Sequence, residues 1–496
     1  MLKIGWASAD VSTNGPVGIM GQAHLRISNG SHDPTTLTAL YLSDGKDCVV
    51  FVSGDFTSIQ SDLFHEIKEQ TEKRLPGFDS SKLIFNATHT HTAPRYHLTT
   101  GYDLAPKDRV DLEPPEKYRA FLVEQAVQTI IRAHETASPG SIAYGYGSAA
   151  IGLQRRVNYF HDRSSGNTSG NTFAVNGRGV MYGKTDDPDF SGFEATTDTN
   201  VYLLYTFDET DALTGAVINV PCPSQCTEQE YFTSADYWHE TRQLIRETYG
   251  NIFILPQCAA AGDLSPHPLH NQAAIARRVR LRYGDDPNAA AFQQPFRYYN
   301  RRYIAEKLAR AFDEGYSWAS LEKFNDLPIV HITKTVELER WNITQQQYEE
   351  AKESLAHLQK IPFQHTEDPY EDFQLNTRQS SELSRCESVI ARYENKAETV
   401  ATEIHAVRLG DVAFTTCPFE LYIDYQHRIQ ARSPFVQTFV VELAASDEQE
   451  SYGYLATERA VQNKGYSAIS YSCFVSPTGG QTLVEELLHT LKELHS

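Results

Sequence analysis

The sequence predicts an α/β fold in which mixed β-sheets are flanked by helices. Three observations support that class. Apolar runs of strand length alternate with helical spacing through the first half of the chain. The residues with chemical potential follow directly on those runs, so function falls at strand ends, as in α/β enzymes generally. The 496 residues, 40% hydrophobic and 22% charged, have an ordinary globular composition able to bury a large core.

In chain order, Thr38-Ala39-Leu40-Tyr41-Leu42 and Cys48-Val49-Val50-Phe51-Val52 read as strands around the hairpin signal Asp44-Gly45. Residues 61–75 carry helical spacing, and Leu83-Ile84-Phe85 is a strand leading to His89. From about residue 160 to 198 Gly, Ser, Asn and Asp dominate and aliphatics are few, which predicts a long loop or lid. Two further strands, at 215–220 and 252–256, deliver the loop Pro221-Cys222-Pro223-Ser224-Gln225-Cys226 and the turn Gly262-Asp263-Leu264-Ser265-Pro266. Thr344-x-x-Gln347 is a capping box ahead of Tyr348, Ala351, Leu355 and Leu358 on one helical face. Residues 381–396 continue as a second helix, so 341–396 reads as an inserted helical hairpin. A β-rich segment follows from Glu403, and Leu483, Leu487, Leu488, Leu491 and Leu494 stripe a closing amphipathic helix.

The balance of 44 basic against 64 acidic residues gives a net charge of −20, which repels phosphate backbones and anionic bilayers. Nucleic acid and membranes are therefore not expected as partners. The start Met1-Leu2-Lys3-Ile4-Gly5-Trp6 lacks the pattern of a signal peptide, and no run reaches the roughly 18 apolar residues of a membrane span, so a cytoplasmic location is expected. The seven cysteines are odd in number and scattered, which fits buried thiols in a reducing compartment. A homo-oligomer is compatible with all of this.

The densest chemical motif is Asn86-Ala87-Thr88-His89-Thr90-His91-Thr92-Ala93-Pro94. Residues two apart on a strand share a face, so both imidazoles can enter one cleft from a strand end. Such a pair is either a metal-ligand geometry or a polar strand end. Together with Gly5-Trp6-Ala7-Ser8-Ala9-Asp10, the Gly-Asp-Leu-Ser-Pro turn, Pro418-Phe419-Glu420 and the segment from Tyr454 to Tyr466, it resembles the neutral ceramidase family, zinc-dependent amidases that cleave N-acyl sphingosines. The motifs keep the family's order and spacing over almost the whole chain.

The resemblance implies one neutral-ceramidase-like catalytic domain over residues 1–496, with Zn2+ held by His89, Glu420, Tyr454 and a mid-chain histidine. In the matching region, 219–236, no histidine occurs, and Cys222 or its neighbour Pro223 stands in its place. A cysteine thiolate is a good zinc ligand, which makes the implied metal set His89, Cys222, Glu420 and Tyr454. Cys222 can equally be a reactive thiol or a structural cysteine, with His239 as the alternative ligand. The same resemblance puts Ser265, Tyr466 and Arg155, from Leu153-Gln154-Arg155-Arg156, in the catalytic centre, with His91 as the acid/base that protonates the leaving group. Each has a plainer reading: Ser265 as a capping turn, Arg155 as a surface ion pair, His91 as an orienting group. Asp55 can present a carboxylate to the cleft or form a turn, and His97, His267 and His270 are expected on the same rim.

The implied activity is that of a zinc-dependent hydrolase, in which metal-bound water or Ser265 attacks a carbonyl polarised by zinc and Arg155. Ceramidases usually carry a C-terminal immunoglobulin-like module and an export signal, and neither is recognisable here. A water-soluble small-molecule or oligosaccharide substrate is therefore expected in place of a membrane lipid. The 27 Tyr and 24 Phe suit stacking against sugar faces. The alternatives are a carbohydrate-active glycosidase, lyase or deacylase on the same scaffold, a true ceramidase, and a non-catalytic metal- or sugar-binding protein.

Overall fold

Asp44-Gly45 reverses the chain as its composition requires. The Asp44 carboxylate accepts from the N–H groups of Lys46 and Asp47 at 2.8 and 2.9 Å, and Gly45 takes φ 87°. The strands it joins, Thr36–Ser43 and Cys48–Gly54, pair antiparallel from Leu37↔Gly54 to Ser43↔Cys48. In this computed structural model, which describes residues 1–99, 101–105, 112–284, 286–448 and 453–496, that hairpin belongs to an eight-stranded mixed sheet. Its order is Phe253–Cys258, Leu213–Val220, Asn200–Asp208, Ser138–Ser148, Lys3–Asp10, Thr36–Ser43, Cys48–Gly54, Leu83–Ala87.

The two halves of this sheet join through only Lys3↔Pro139 and Ile4↔Ser138. Their far strands meet again across the molecule, where Ser53 Oγ and Asn86 Nδ2 both donate to Pro256 O, at 2.5 and 3.2 Å. A second sheet, Ile329–Glu339, Thr399–Leu409, Val412–Thr416 and Gln437–Val441, packs against the first. Phe51, Ile84, Val217 and Leu255 from one sheet and Val407, Phe414 and Phe439 from the other share one apolar cluster. Helices cover the outer faces. Ser61–Arg74 and Pro115–Glu135 bury Leu63, Ile67, Leu122 and Ile130 on one side, and Pro477–His495 buries its leucine stripe on the other.

The inserted hairpin is present with one correction. Gln345–Leu358 starts at the expected capping box, with Gln347 N–H donating to Thr344 Oγ1 at 3.2 Å. The second helix begins at Pro369, well before residue 381, because Asp368 caps it and Pro369 fits its first turn. Its early half docks on the body of the protein: Phe373 is buried with Leu25, Ile27 and Tyr102. Among the described residues no helix is long and apolar enough to cross a membrane.

Asp55 sits in the bend that ends its strand, with Phe56 N–H donating to Gly54 O at 2.8 Å, and does not line the cleft. It is fully buried and receives a two-pronged ion pair from Arg242 at 2.8 and 3.1 Å, plus the Thr36 N–H at 2.9 Å. Arg242→Ala would strand this carboxylate, so a loss of about 3–5 kcal/mol in the unfolding free energy is expected from urea denaturation.

Candidate active site

The strand Leu83–Ala87 ends before its histidines, and His89 takes the left-handed conformation at φ 63°. The two imidazoles therefore meet through a turn, and strand alternation is not the reason. Three backbone bonds hold that turn: Thr88 N to Gly54 O at 3.0 Å, Thr90 N to Phe56 O at 3.1 Å and His91 N to Ser224 O at 3.3 Å. Gly21 gives it room, since a Cβ there would lie 2.6 Å from His91. The buried Arg26 donates to His91 O at 2.5 Å and Met20 O at 2.9 Å, locking the loop beneath it.

Glu420 and Tyr454 are brought together by a two-residue parallel ladder, Glu420↔Tyr454 and Leu421↔Leu455. Gly262 packs against this ladder so closely that a Cβ would sit 2.4 Å from Glu420 O. Into the same space comes Arg155, whose guanidinium donates to Gly262 O at 2.6 Å, Tyr182 OH at 3.3 Å, Tyr454 OH at 3.4 Å and Gln225 Oε1 at 3.4 Å. It lies 3.9 Å from Glu420. The neighbouring Arg156 pairs with buried Glu194 and donates to Tyr466 O at 2.7 Å, which seats Tyr466 with its ring 5.8 Å from that of Tyr454.

His89 Nδ1 faces Thr57 O at 2.7 Å, which assigns the Nδ1 proton and leaves Nε2 facing inward. That Nε2 is 3.2 Å from His91 Nε2 and 3.5 Å from Glu420 Oε2. His91 Nε2 already accepts from Gln225 Nε2 at 2.9 Å. Two ring-nitrogen lone pairs face each other beside a carboxylate, so a positive charge belongs between them, either a proton or a cation.

The electrostatics agree. Burial opposes charging of His89, but Glu420, and then Glu442, outweigh it and raise its pKa above the usual histidine value. Burial, then His89, Arg26 and Arg155, hold His91 well below that value and neutral. Burial would raise Glu420, but His89 and Arg155 keep it below the ordinary carboxylate range. Burial, reinforced by Glu420 and Tyr466, pushes the Tyr454 phenol well up. Glu442, following the strand Gln437–Val441, accepts from the N–H groups of Ala261 and Leu421 at 3.1 and 2.7 Å, and burial drives its pKa up to about 8.

Some of these groups open on a cleft of about 320 Å³, lined among others by His91, Arg155, Tyr182, Gln225, Tyr454 and Tyr466, with His89, Glu420 and Glu442 behind them. Its far wall includes Phe173 and Asn176, so the Gly/Ser/Asn-rich segment does cover the site.

Three expectations need correction. The Cys222 side chain is buried in an apolar cluster with Cys226, Tyr237 and Trp238, its thiol donates to Pro223 O at 3.8 Å, and burial pushes its pKa far up. It is placed as a structural thiol, apart from His89 and Glu420. Ser265 is fully buried, accepts from His267 N–H at 3.1 Å and does not line the cleft, which is the capping-turn reading. The His91 expectation is narrowed: held neutral, it carries no Nε2 proton at rest and can protonate a leaving group only after first taking one up. The alternative ligand His239 lies at a separate cavity of about 550 Å³ with His32 and Glu240. His97 bonds to Arg95, His267 to Gln225 O, and the His270 ring lies 5.6 Å from that of Phe193. Gln225 and Glu442 were not legible as site residues. Their signals were a polar residue in a Cys/Pro-rich loop and a lone carboxylate closing an apolar strand.

A divalent metal fits here through His89 Nε2, a Glu420 oxygen and the Tyr454 hydroxyl, an N/O donor set suited to zinc. Among the described residues no group of three or more His, Cys, Asp or Glu is arranged to hold a metal.

No protein-family model and no curated protein matches the sequence. Solved structures do. A neutral ceramidase from Pseudomonas aeruginosa is 17% identical and superposes with a TM-score of 0.67 over 99% of this chain and 74% of its own. A ceramidase complexed with C2 is 16% identical, with a TM-score of 0.64 over 100% of this chain and 75% of its own. The fold is that of the neutral ceramidases.

Cys222→Ala is expected to bind added zinc as the native protein does, read by calorimetric titration, at a stability loss of about 1–2 kcal/mol. Loss of zinc binding in that variant would return Cys222 to the ligand set.

Proposed function

We propose that the protein is a metal-dependent hydrolase that cleaves an acyl bond, of amide type, in a small water-soluble substrate. The observation that carries this reading is that a buried cation, Arg155, lines one cleft with His91, Tyr454 and Tyr466 while Glu420, paired with His89, lies directly behind it. The ceramidase-like fold supports a hydrolase on this scaffold. His89, Glu420 and Tyr454 would hold the metal, which supplies Lewis acidity to the reacting carbonyl.

The chain's own residues do the rest. Arg155, fixed by Gly262 O, is placed to stabilise the oxyanion that develops on the carbonyl. Neutral His91, oriented by Gln225, takes the proton of the attacking water and then delivers it to the leaving nitrogen. The Tyr466 hydroxyl, beside that of Tyr454, is a second donor toward the substrate. A cleft of about 320 Å³ is at the small end for ligand sites and suits a compact molecule better than a two-chain lipid. The rings of Phe173, Tyr182, Tyr454 and Tyr466 favour an N-acylated sugar as one form of that substrate.

With zinc present, a panel of N-acyl amino sugars, N-acyl amino acids and long-chain ceramide in detergent micelles should show turnover of a soluble amide. Arg155→Ala should lower its kcat/KM by about 10²–10³. Robust cleavage of long-chain ceramide, abolished by His89→Ala, would instead make the protein a lipid amidase.

A further inference from the structure

One cation of the cleft, Arg378, has no part in the proposed hydrolysis. Arg378, in the inserted helix Pro369–Glu394, is exposed, and it lines the same cleft as Arg155. Its guanidinium lies 5.6 Å from the centre of the Phe173 ring. Among the described residues no carboxylate lies within ion-pair distance of it. Arg385, two turns further along the helix, differs. It stacks on Phe173 at 4.1 Å, and its donors are used on Thr172 at 3.0 and 3.2 Å and Ser472 at 3.1 Å.

The helix that carries Arg378 is also held in place. Thr377 Oγ1 accepts from Leu25 N–H at 3.0 Å and Ser381 Oγ donates to Ala23 O at 2.6 Å, tying the helix to the loop under His91. Glu382 accepts from Thr172 N–H at 2.7 Å, tying it to the segment that carries Phe173. Both cleft walls are thus bolted to the stretch of helix around Arg378. Glu228, the acidic residue on the lining, is countered by Arg297 at 3.3 Å. In a chain of net charge −20, a cation on an anchored helix, without a carboxylate partner and lining a cleft, selects an anion and steers it inward.

We propose that Arg378 is a specificity residue that binds a carboxylate carried by the substrate. The acyl bond then lies at Arg155 while the carboxylate lies at Arg378, with the stem against Phe173 and Tyr466, whose ring centres are 6.0 Å apart. The class is a soluble N-acyl compound with a free carboxylate, which either an N-acyl amino acid or an N-acylated acidic sugar supplies. This rests on the hydrolase reading for its substrate class, but binding can be measured without turnover.

The test uses the whole zinc-loaded protein and calorimetric binding of N-acetylphenylalanine and N-acetylneuraminic acid, each against its neutral counterpart, the carboxamide and the methyl ester. For at least one pair the acid should bind about fivefold tighter, the scale of an exposed guanidinium–carboxylate contact. Which pair responds identifies the source of the carboxylate. Arg378→Gln should bring the ratio to near one and Arg378→Lys should retain part of it. Equal binding of acid and neutral forms, a preference that survives Arg378→Gln, or no binding of either acid would overturn the proposal. An Arg378-dependent preference without hydrolysis of the bound acid would refute the hydrolase reading and leave this subsite standing; hydrolysis without the preference would do the reverse.

Discussion

A guanidinium does not give up its proton in a protein, so burying Arg155 obliges its surroundings to complement a fixed positive charge. Burial works against that charge, and the pair of tyrosines, Tyr182 and Tyr454, together with Glu420 outweigh it and hold Arg155 above its ordinary pKa. Each partner reaches it from a different part of the chain. The carbonyl of Gly262 comes from the turn after Phe253–Cys258, Gln225 from the loop after Leu213–Val220, and Glu420 and Tyr454 from a short ladder near the C-terminal end. The interior cation thereby ties several loops into one site, and the same charge adds to the burial, His89 and Arg26 that keep His91 neutral while helping Glu420 stay ionised.

Around that centre the two sheets act as a rigid frame. Leu83–Ala87, Leu213–Val220, Phe253–Cys258 and Gln437–Val441 are the strands whose carboxyl ends feed the site, and each enters a parallel pairing. Loops that leave such ends keep polar backbone groups free for side chains and substrates, which is why ligand sites gather there. The strain of a left-handed His89 persists because three backbone bonds over-determine the turn. The inserted hairpin is part of the same frame: its second helix is stitched to both walls of the cleft and contributes lining of its own.

Much of the fold was legible in local pattern. Asp44-Gly45, the Thr344 capping box and the closing leucine stripe each act within a few residues, so composition and spacing suffice to read them. The start of the second insertion helix was missed because residues 369–380 are largely polar, and their single strong signal, Asp368-Pro369, marks an end only when a helix is already suspected. Ser265 shows the reverse error: a motif seen beside active centres turned out to cap a turn, since its burial depends on the pairing Ser265↔Leu153.

His89, His91, Arg155, Glu420, Tyr454 and Tyr466 were all singled out in the sequence through the resemblance of their motifs, which local residue patterns carry, and the structure brings them together. Only the tertiary structure decided what those groups do to one another. Whether His91 is charged depends on the proximity of His89, Arg26 and Arg155, and whether Cys222 is a ligand depends on which side of a loop its sulfur faces. Gln225, Glu442 and Arg378 entered the site in the same way. Their roles arise from charges and hydrogen bonds between residues far apart in the chain, and those interactions fall off over a few ångströms of space, a distance that sequence separation does not encode.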